Sequence, residues 1–159
     1  PRQTLGDGAQ AALLPLFNTA ALVGFGSVVA ALPAFATVNA LTVQMAGGPL
    51  IGLAASASLL AGITGSASGG MSIALDALGA RYLDIATAEG IDPEALHRIV
   101  TLATGGLDAL PHNGAVVTLL GIARLTHKEA YGPIFVVAVA IPVVALAAAL
   151  ALATWLGSF

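Results

Sequence analysis

Apolar residues fill most of the chain in long runs, and the charged residues are gathered into a few short stretches. No Asp, Glu, Lys or Arg occurs between Gly8 and Leu75, a run of 68 residues, and none occurs in the 30 residues from Ala130 to Phe159. A helix needs about 20 mostly apolar residues to cross the hydrocarbon core of a bilayer. The first run therefore has room for two spanning helices and a partial crossing, and the second has room for one tilted span.

This pattern predicts an all-α integral membrane protein. We expect spans at about residues 9–31, 49–66 and 131–156, and broken or re-entrant elements at about 64–80 and 93–124. Paired interrupted helices are typical of polytopic transporters built from inverted repeats. The whole chain is therefore expected to be a piece of a longer integral membrane protein.

Two polar, glycine-rich stretches interrupt the apolar runs, at residues 64–70 (TGSASGG) and 104–114 (TGGLDALPHNG). Irregular backbone at membrane depth persists only where protein buries it or where it lines a watery cavity. Asp108 and His112 are the only acid and the only histidine between Arg98 and Arg124, and ionisable groups at such depth mark an ion or substrate pathway by default. Each stretch is therefore predicted to form half of a transport site.

Other interpretations of these stretches stay open. The first could be a flexible turn at an interface. In the second, Asp108 and His112 could pair with each other or cap the broken ends, and only hold the loop in shape. The sequence also leaves open whether residues 93–124 form a re-entrant hairpin or one broken spanning helix.

The chemistry of the two stretches suits a small carboxylate. The N–H groups at the start of a helix carry partial positive charge and bind anions. Coupling to protons needs a group that titrates near physiological pH, as His112 does intrinsically, and as Asp108 could in a desolvated environment. We therefore expect Asp108 and His112 to carry the coupling proton. The expected substrate-binding residues are Ser66, Ser68, Gly69, Gly70, Asn113 and Gly114.

Composition narrows the class further. The chain is 58% hydrophobic and 8% charged, with a mean hydropathy of +0.96, whereas soluble domains have roughly 25% charged residues. A net charge of −3 argues against nucleic-acid binding. There is no cysteine and no HExxH or GxSxG motif, so we expect no enzyme, no catalytic residues, no metal and no cofactor.

Two motifs resemble the C-terminal part of GntP-type permeases: GSASGGMSIAL at residues 65–75 and GLDALPHNGAV at residues 106–116. That family includes gluconate and related hydroxy-acid proton symporters and belongs to the ion-transporter superfamily. The apolar run that follows His112-Asn113-Gly114 is closer to the 3-hydroxybutyrate permease branch than to the gluconate branch. The resemblance implies that the chain, 1–159, is the C-terminal transmembrane part of a multi-pass permease. Such a permease would lie in the bacterial inner (cytoplasmic) membrane and move a carboxylate of this kind together with protons. The partners implied are the lipid bilayer, the remainder of the permease chain and, as an option, a second copy of the protein.

Two rival interpretations of the function remain. The chain could be a non-functional or structural membrane fragment that lacks the other repeat, or it could belong to an ion channel, whose signature would be rings of charge or carbonyls from several subunits. Counterflow of substrate would distinguish a carrier from a channel.

Overall fold

The computed structural model describes residues 2–43 and 48–156 of the chain. Every regular element in these ranges is a helix, so the prediction of an all-helical chain is confirmed there. The elements are α1 (Arg2–Ala30), α2 (Pro33–Val43), α3 (Gly48–Thr64), α4 (Ala67–Ala88), α5 (Pro93–Leu107), α6 (Gly114–Ala123), α7 (His127–Phe135), a π-helical segment (Val136–Ala140) and α8 (Ile141–Leu156).

Within the described residues, two stretches of helix are long and apolar enough to cross a membrane. They are Thr4–Val29 in α1 and His127–Leu156, which joins α7, the π-helical segment and α8. Length and composition alone would also fit the core helix of a soluble protein, but such a helix is buried. Here large apolar side chains are exposed along both stretches, among them Leu16 at 63% and Val144 at 68%. That exposure suits contact with lipid or with further protein.

Pro142 explains the π-helical segment. Proline has no N–H and its ring clashes with the carbonyl four residues earlier, which disturbs the regular hydrogen-bond ladder of a helix. Just before it, the N–H of Ile141 donates to the carbonyl of Val136, five residues back. The helix thus absorbs the proline by widening one turn, and it continues as α8.

The core lies among α3, α4 and α5, with one face of α8 packed against it. Its largest fully buried apolar side chains are Leu53, Leu60, Ile99 and Val100, each at most 2% exposed. Gly70 lets α4 approach α3 closely, because a Cβ there would lie 2.3 Å from the backbone nitrogen of Ala61. Such close crossings at small residues are typical of helix packing in membranes.

The helices can be compared with the predicted spans. The stretch predicted at 49–66 holds the 17-residue α3, and the interruption that follows is only Gly65 and Ser66. Most of the stretch predicted to be irregular at 64–70 is therefore already helix α4. The interruption between α5 and α6 is longer, from Asp108 to Asn113.

Candidate functional site

The first interruption, between α3 and α4, is a tight two-residue turn. Gly65 has φ of +59°, a left-handed conformation that glycine adopts at little cost. Ser66 then caps α4: its Oγ accepts a hydrogen bond from the N–H of Gly69 at 3.1 Å, and its carbonyl accepts one from the N–H of Gly70 at 2.8 Å. The sequence Gly-Ser thus ends one helix and starts the next with almost no connecting chain.

The second interruption, between α5 and α6, ends at another helix cap. Asn113 precedes α6, and its Oδ1 accepts a hydrogen bond from the N–H of Val116 at 2.9 Å. Asparagine is among the strongest N-cap residues, because its side chain satisfies a helix N–H that has no partner within the helix.

Asn113 also joins the two interruptions. Its Nδ2 donates to the carbonyl oxygen of Gly65 at 2.8 Å, across 48 residues of sequence, and the side chain is 7% exposed. A Cβ at Gly65 would lie 3.0 Å from the His112 ring, so the two turns are in direct contact. One amide therefore uses its oxygen to start α6 and its nitrogen to hold α6 beside the start of α4.

A cavity of roughly 260 Å³ opens where these two helix starts meet, and we call it the break cavity. Helix α1 contributes Thr19 to its wall and is held against α6 by a hydrogen bond of 2.9 Å from Asn18 Nδ2 to Thr118 Oγ1. No charged side chain of the described residues lines the cavity. The electrostatic potential inside it therefore comes mainly from the partial positive charge of the two helix N-termini. The lining residues are Thr19, Gly65, Ser66, Ala67, Ser68, Asn113 and Ala115.

Three of the predicted substrate-binding residues line the break cavity together, namely Ser66, Ser68 and Asn113. The others have different positions. The N–H of Gly69 is already bonded to Ser66, and Gly70 is buried against α3, where it is required for packing. Gly114 is buried at the first position of α6.

Neither of the two predicted proton-coupling residues lines the break cavity. Asp108 is half-buried at the end of α5, and His112 is exposed. Among the described residues no hydrogen bond or ion pair joins them, so the interpretation in which they pair is not the observed arrangement. His112 instead lines an open hollow of roughly 500 Å³ with Pro111, His127, Lys128 and Tyr131.

The second interruption is also tied to the start of α7, which the sequence did not reveal. His127 Nε2 donates to the carbonyl of Pro111 at 2.8 Å, and the hydroxyl of Tyr131 donates to the carbonyl of Ala109 at 3.1 Å. Helix α7 itself starts with a capping box formed by Thr126 and Glu129. The interruption therefore lies beside the polar end of the last long helix and not beside its apolar middle.

Asn18 and Thr19 were missed as well. Their signal in the sequence is weak but real, since two adjacent polar residues stand inside a long apolar helix. Nothing in the sequence indicated that this helix would pass both helix starts, because that depends on how α1 packs against α4 and α6.

Two interrupted helices that meet at one cavity are typical of membrane transport proteins, in which such interruptions form a binding site. Over 136 residues, or 86% of its length, the chain is 46% identical to a Bacillus subtilis (strain 168) protein named "Uncharacterized transporter YxjC". The chain spans 29% of the length of that relative. No protein-family model and no solved structure matches the chain.

Proposed function

We propose that this chain is part of a secondary transporter that carries a small hydroxycarboxylate, such as 3-hydroxybutyrate or gluconate, across the bacterial inner membrane by proton symport. The observation that carries the proposal is the meeting of two interrupted helices at one cavity, with Asn113 bonded to both. The relative named as a transporter supports the general class. The motifs that resemble GntP-type permeases suggest the substrate and the coupling ion.

The break cavity has the chemistry that a hydroxycarboxylate needs. Two helix starts favour the carboxylate without a fixed cation, and the hydroxyls of Thr19, Ser66 and Ser68 can bond to the substrate's hydroxyl group. With no Arg or Lys among the described lining residues, binding would be weak enough to release the substrate on the other side.

Asp108 and His112 would couple the proton to this site through the second interruption. His112 directly precedes Asn113, so a change in its charge acts next to the residue that holds both helix starts together. A protonated His112 would also offset the negative charge of a substrate in the neighbouring cavity. Proton occupancy and substrate occupancy would thereby favour each other, as symport requires.

The test removes the bridge between the interruptions and keeps the helix cap. Serine is also a good N-cap, so Asn113→Ser should preserve the start of α6 and lose the bond to Gly65. In proteoliposomes that contain the full-length transporter, we expect counterflow of labelled 3-hydroxybutyrate and gluconate to fall at least tenfold. Asp92→Ser is the matched control, because Asp92 accepts a hydrogen bond from the N–H of Glu94 at 2.8 Å and so caps the opposite end of α5 from the second interruption.

Three results would contradict the proposal. Unchanged counterflow in Asn113→Ser would remove the site from the break cavity. Flux that rises linearly with the gradient, with no counterflow, would indicate a channel. No movement of any carboxylate by the wild-type protein would exclude carboxylate transport.

A further inference from the structure

Helix α1 forms one wall of the break cavity, and few contacts fix its position there. Asn18 Nδ2 donates to Thr118 Oγ1 on α6 at 2.9 Å, across 100 residues of sequence, and Thr118 is 9% exposed. About two turns further along α1, Gly26 packs against α3, since a Cβ there would lie 3.0 Å from Thr64 Cγ2. Most described residues of α1 are exposed. In the described part of the chain, the bond from Asn18 is therefore the one side-chain hydrogen bond that holds this wall beside α6.

Thr19 follows Asn18 in the chain and lines the break cavity. A hydroxyl inside a helix commonly donates to the carbonyl four residues earlier, which engages its proton. Many hydroxyls of this protein do so: Ser27, Ser56, Thr64, Thr87, Thr101 and Thr154. Thr19 makes neither that bond nor another side-chain hydrogen bond to a described residue. Its hydroxyl is therefore available to a ligand both as a donor and as an acceptor.

The other polar side chains of the cavity wall are more fully engaged. Ser66 Oγ accepts a hydrogen bond from the N–H of Gly69 at 3.1 Å, and the amide of Asn113 is bonded at both ends. Ser68 has one contact, of 3.5 Å between its Oγ and that of Ser66. Thr19 and Ser68 are therefore the hydroxyls with the most capacity left for a substrate.

Unpaired backbone N–H groups indicate where a carboxylate would bind within the cavity. Ala67 and Ser68 are the first residues of α4, Ala115 is the second residue of α6, and all three line the cavity. Their N–H groups have no hydrogen-bond partner among the described residues, as is usual in the first turn of a helix. In the proposed function the carboxylate binds at these helix starts, where the Ser68 hydroxyl lies as well. The substrate's own hydroxyl is then left for the wall formed by α1.

We propose that Thr19 binds the hydroxyl group of the substrate, and that Asn18 positions Thr19 through its bond to Thr118. Thr19 thereby selects hydroxycarboxylates over carboxylates of the same length that lack the hydroxyl, because the analogue leaves one hydrogen bond unmade. The role of Thr19 rests on the proposed function. The positioning of α1 by Asn18 does not.

The first measurement compares pairs of acids that differ in their hydroxyl groups. In proteoliposomes that contain the full-length transporter, unlabelled 3-hydroxybutyrate and butyrate each inhibit counterflow of labelled 3-hydroxybutyrate, and gluconate and hexanoate form a second pair. Thr19→Val keeps the shape of the side chain and removes its hydroxyl. We expect the preference for the hydroxy acid to fall roughly three- to tenfold, the range for one neutral hydrogen bond. The concentration of butyrate or hexanoate that gives half-inhibition should stay unchanged.

Variants of Thr118 test the positioning. Thr118→Val removes the acceptor of the Asn18 bond, lies outside the lining of the break cavity, and should lower the same preference about two- to fivefold. Thr118→Ser keeps the acceptor and should keep most of the preference. Thr101→Val is the matched control, because the Thr101 hydroxyl donates within α5, to the carbonyl of His97 at 2.8 Å. It should leave the preference as it is in the wild type.

A second measurement follows the position of α1 without transport. Thr19→Cys is introduced into full-length protein that carries no other reactive cysteine, and its rate of reaction with a charged methanethiosulfonate reagent is recorded. Loss of the bond to α6 should let α1 move away and raise this rate roughly threefold or more when Thr118→Val is added. Adding Thr101→Val should leave the rate unchanged.

Each other result has a defined meaning. If Thr19→Val weakens the hydroxy acids and their analogues equally, Thr19 does not bind the hydroxyl. If Thr118→Val changes neither the preference nor the reaction rate, or if Thr101→Val changes them equally, the positioning role is overturned. If the reaction rate depends on Thr118 but the wild type exchanges no carboxylate, the positioning of α1 stands and the proposed function fails.

Discussion

The two interruptions of the helices are built in opposite ways. The turn between α3 and α4 is two residues long, carries no ionisable group and follows from backbone packing, with Gly70 pressed against α3. The stretch between α5 and α6 is longer, contains Asp108 and His112, and is held by side-chain hydrogen bonds from α7. Packed backbone has little freedom to rearrange, whereas a few polar bonds can be exchanged at low cost. We therefore call the turn between α3 and α4, Gly65 and Ser66, the fixed interruption. The stretch between α5 and α6, from Asp108 to Asn113, is the adjustable interruption.

The largest effect should come from filling the contact at Gly70. In Gly70→Ala the new Cβ would lie 2.3 Å from a backbone atom of Ala61, which cannot move aside as a side chain could. We expect a loss of roughly 3 kcal/mol or more in unfolding free energy, at the upper end of overpacking effects. Unfolding of the purified protein in mixed detergent measures it.

Gly105→Ala is the control for that substitution. Nothing lies within 4 Å of a Cβ at Gly105, so alanine should be neutral or should stabilise α5 by up to about 1 kcal/mol. Equal stability of the two variants would mean that α3 and α4 do not cross as closely as described.

Substitutions at the adjustable interruption should abolish one activity completely, namely accumulation of substrate driven by a pH gradient. His112→Ala and Asp108→Asn in the full-length transporter should each eliminate accumulation driven by a pH gradient. At least one should keep counterflow, because exchange needs substrate binding but no net proton movement. Uptake into proteoliposomes with an imposed pH gradient, beside counterflow without one, measures both activities.

His97→Ala serves as the control histidine, since it is exposed on α5 away from both interruptions. If both variants still concentrate substrate, the proton is carried elsewhere. If both also lose exchange, the two residues serve binding or structure and the coupling role is not supported.

A moderate effect is expected at Gly65, the pivot of the fixed interruption. Alanine there would have to adopt a left-handed conformation, which costs about 1–2 kcal/mol of folding free energy. Its Cβ would also lie 3.0 Å from the His112 ring. Gly65→Ala should therefore lower the unfolding free energy by more than this backbone cost, because the contact with His112 adds to it. Gly90→Ala, which has φ of +72° but open space around it, isolates the backbone part of the cost. A loss at Gly65 no larger than at Gly90 would show that contact with His112 is unimportant.

The smallest effect should come from single bonds that hold the adjustable interruption. Tyr131→Phe removes the bond to Ala109 and should cost about 0.5–1.5 kcal/mol. Hydrogen exchange should quicken at residues 109–113 and stay unchanged at Gly65 and Ser66. Thr87→Val removes a hydroxyl that bonds only within its own helix, to Leu83, and should leave both regions as they were. Equal quickening at both interruptions after Tyr131→Phe would contradict the distinction between them.

The sequence by itself determined the helical class and the positions of the interruptions. Charge-free runs, Gly65-Ser66 and Asp108 to Asn113 are local signals, because helix propensity, capping and the cost of burying charge act on neighbouring residues. For that reason Ser66, Ser68 and Asn113 could be selected as candidates.

Only the tertiary structure decided which of these residues share a cavity. The bond from Asn113 to Gly65 spans 48 residues, and no local pattern encodes such a distance. The same holds for Thr19 on the cavity wall, for His127 against Pro111, and for Gly70, which the sequence offered as a ligand contact and the structure uses for packing. An apolar helix has no strongly preferred face in its sequence, so the side on which α1 meets α4 and α6 follows from the packing of whole helices.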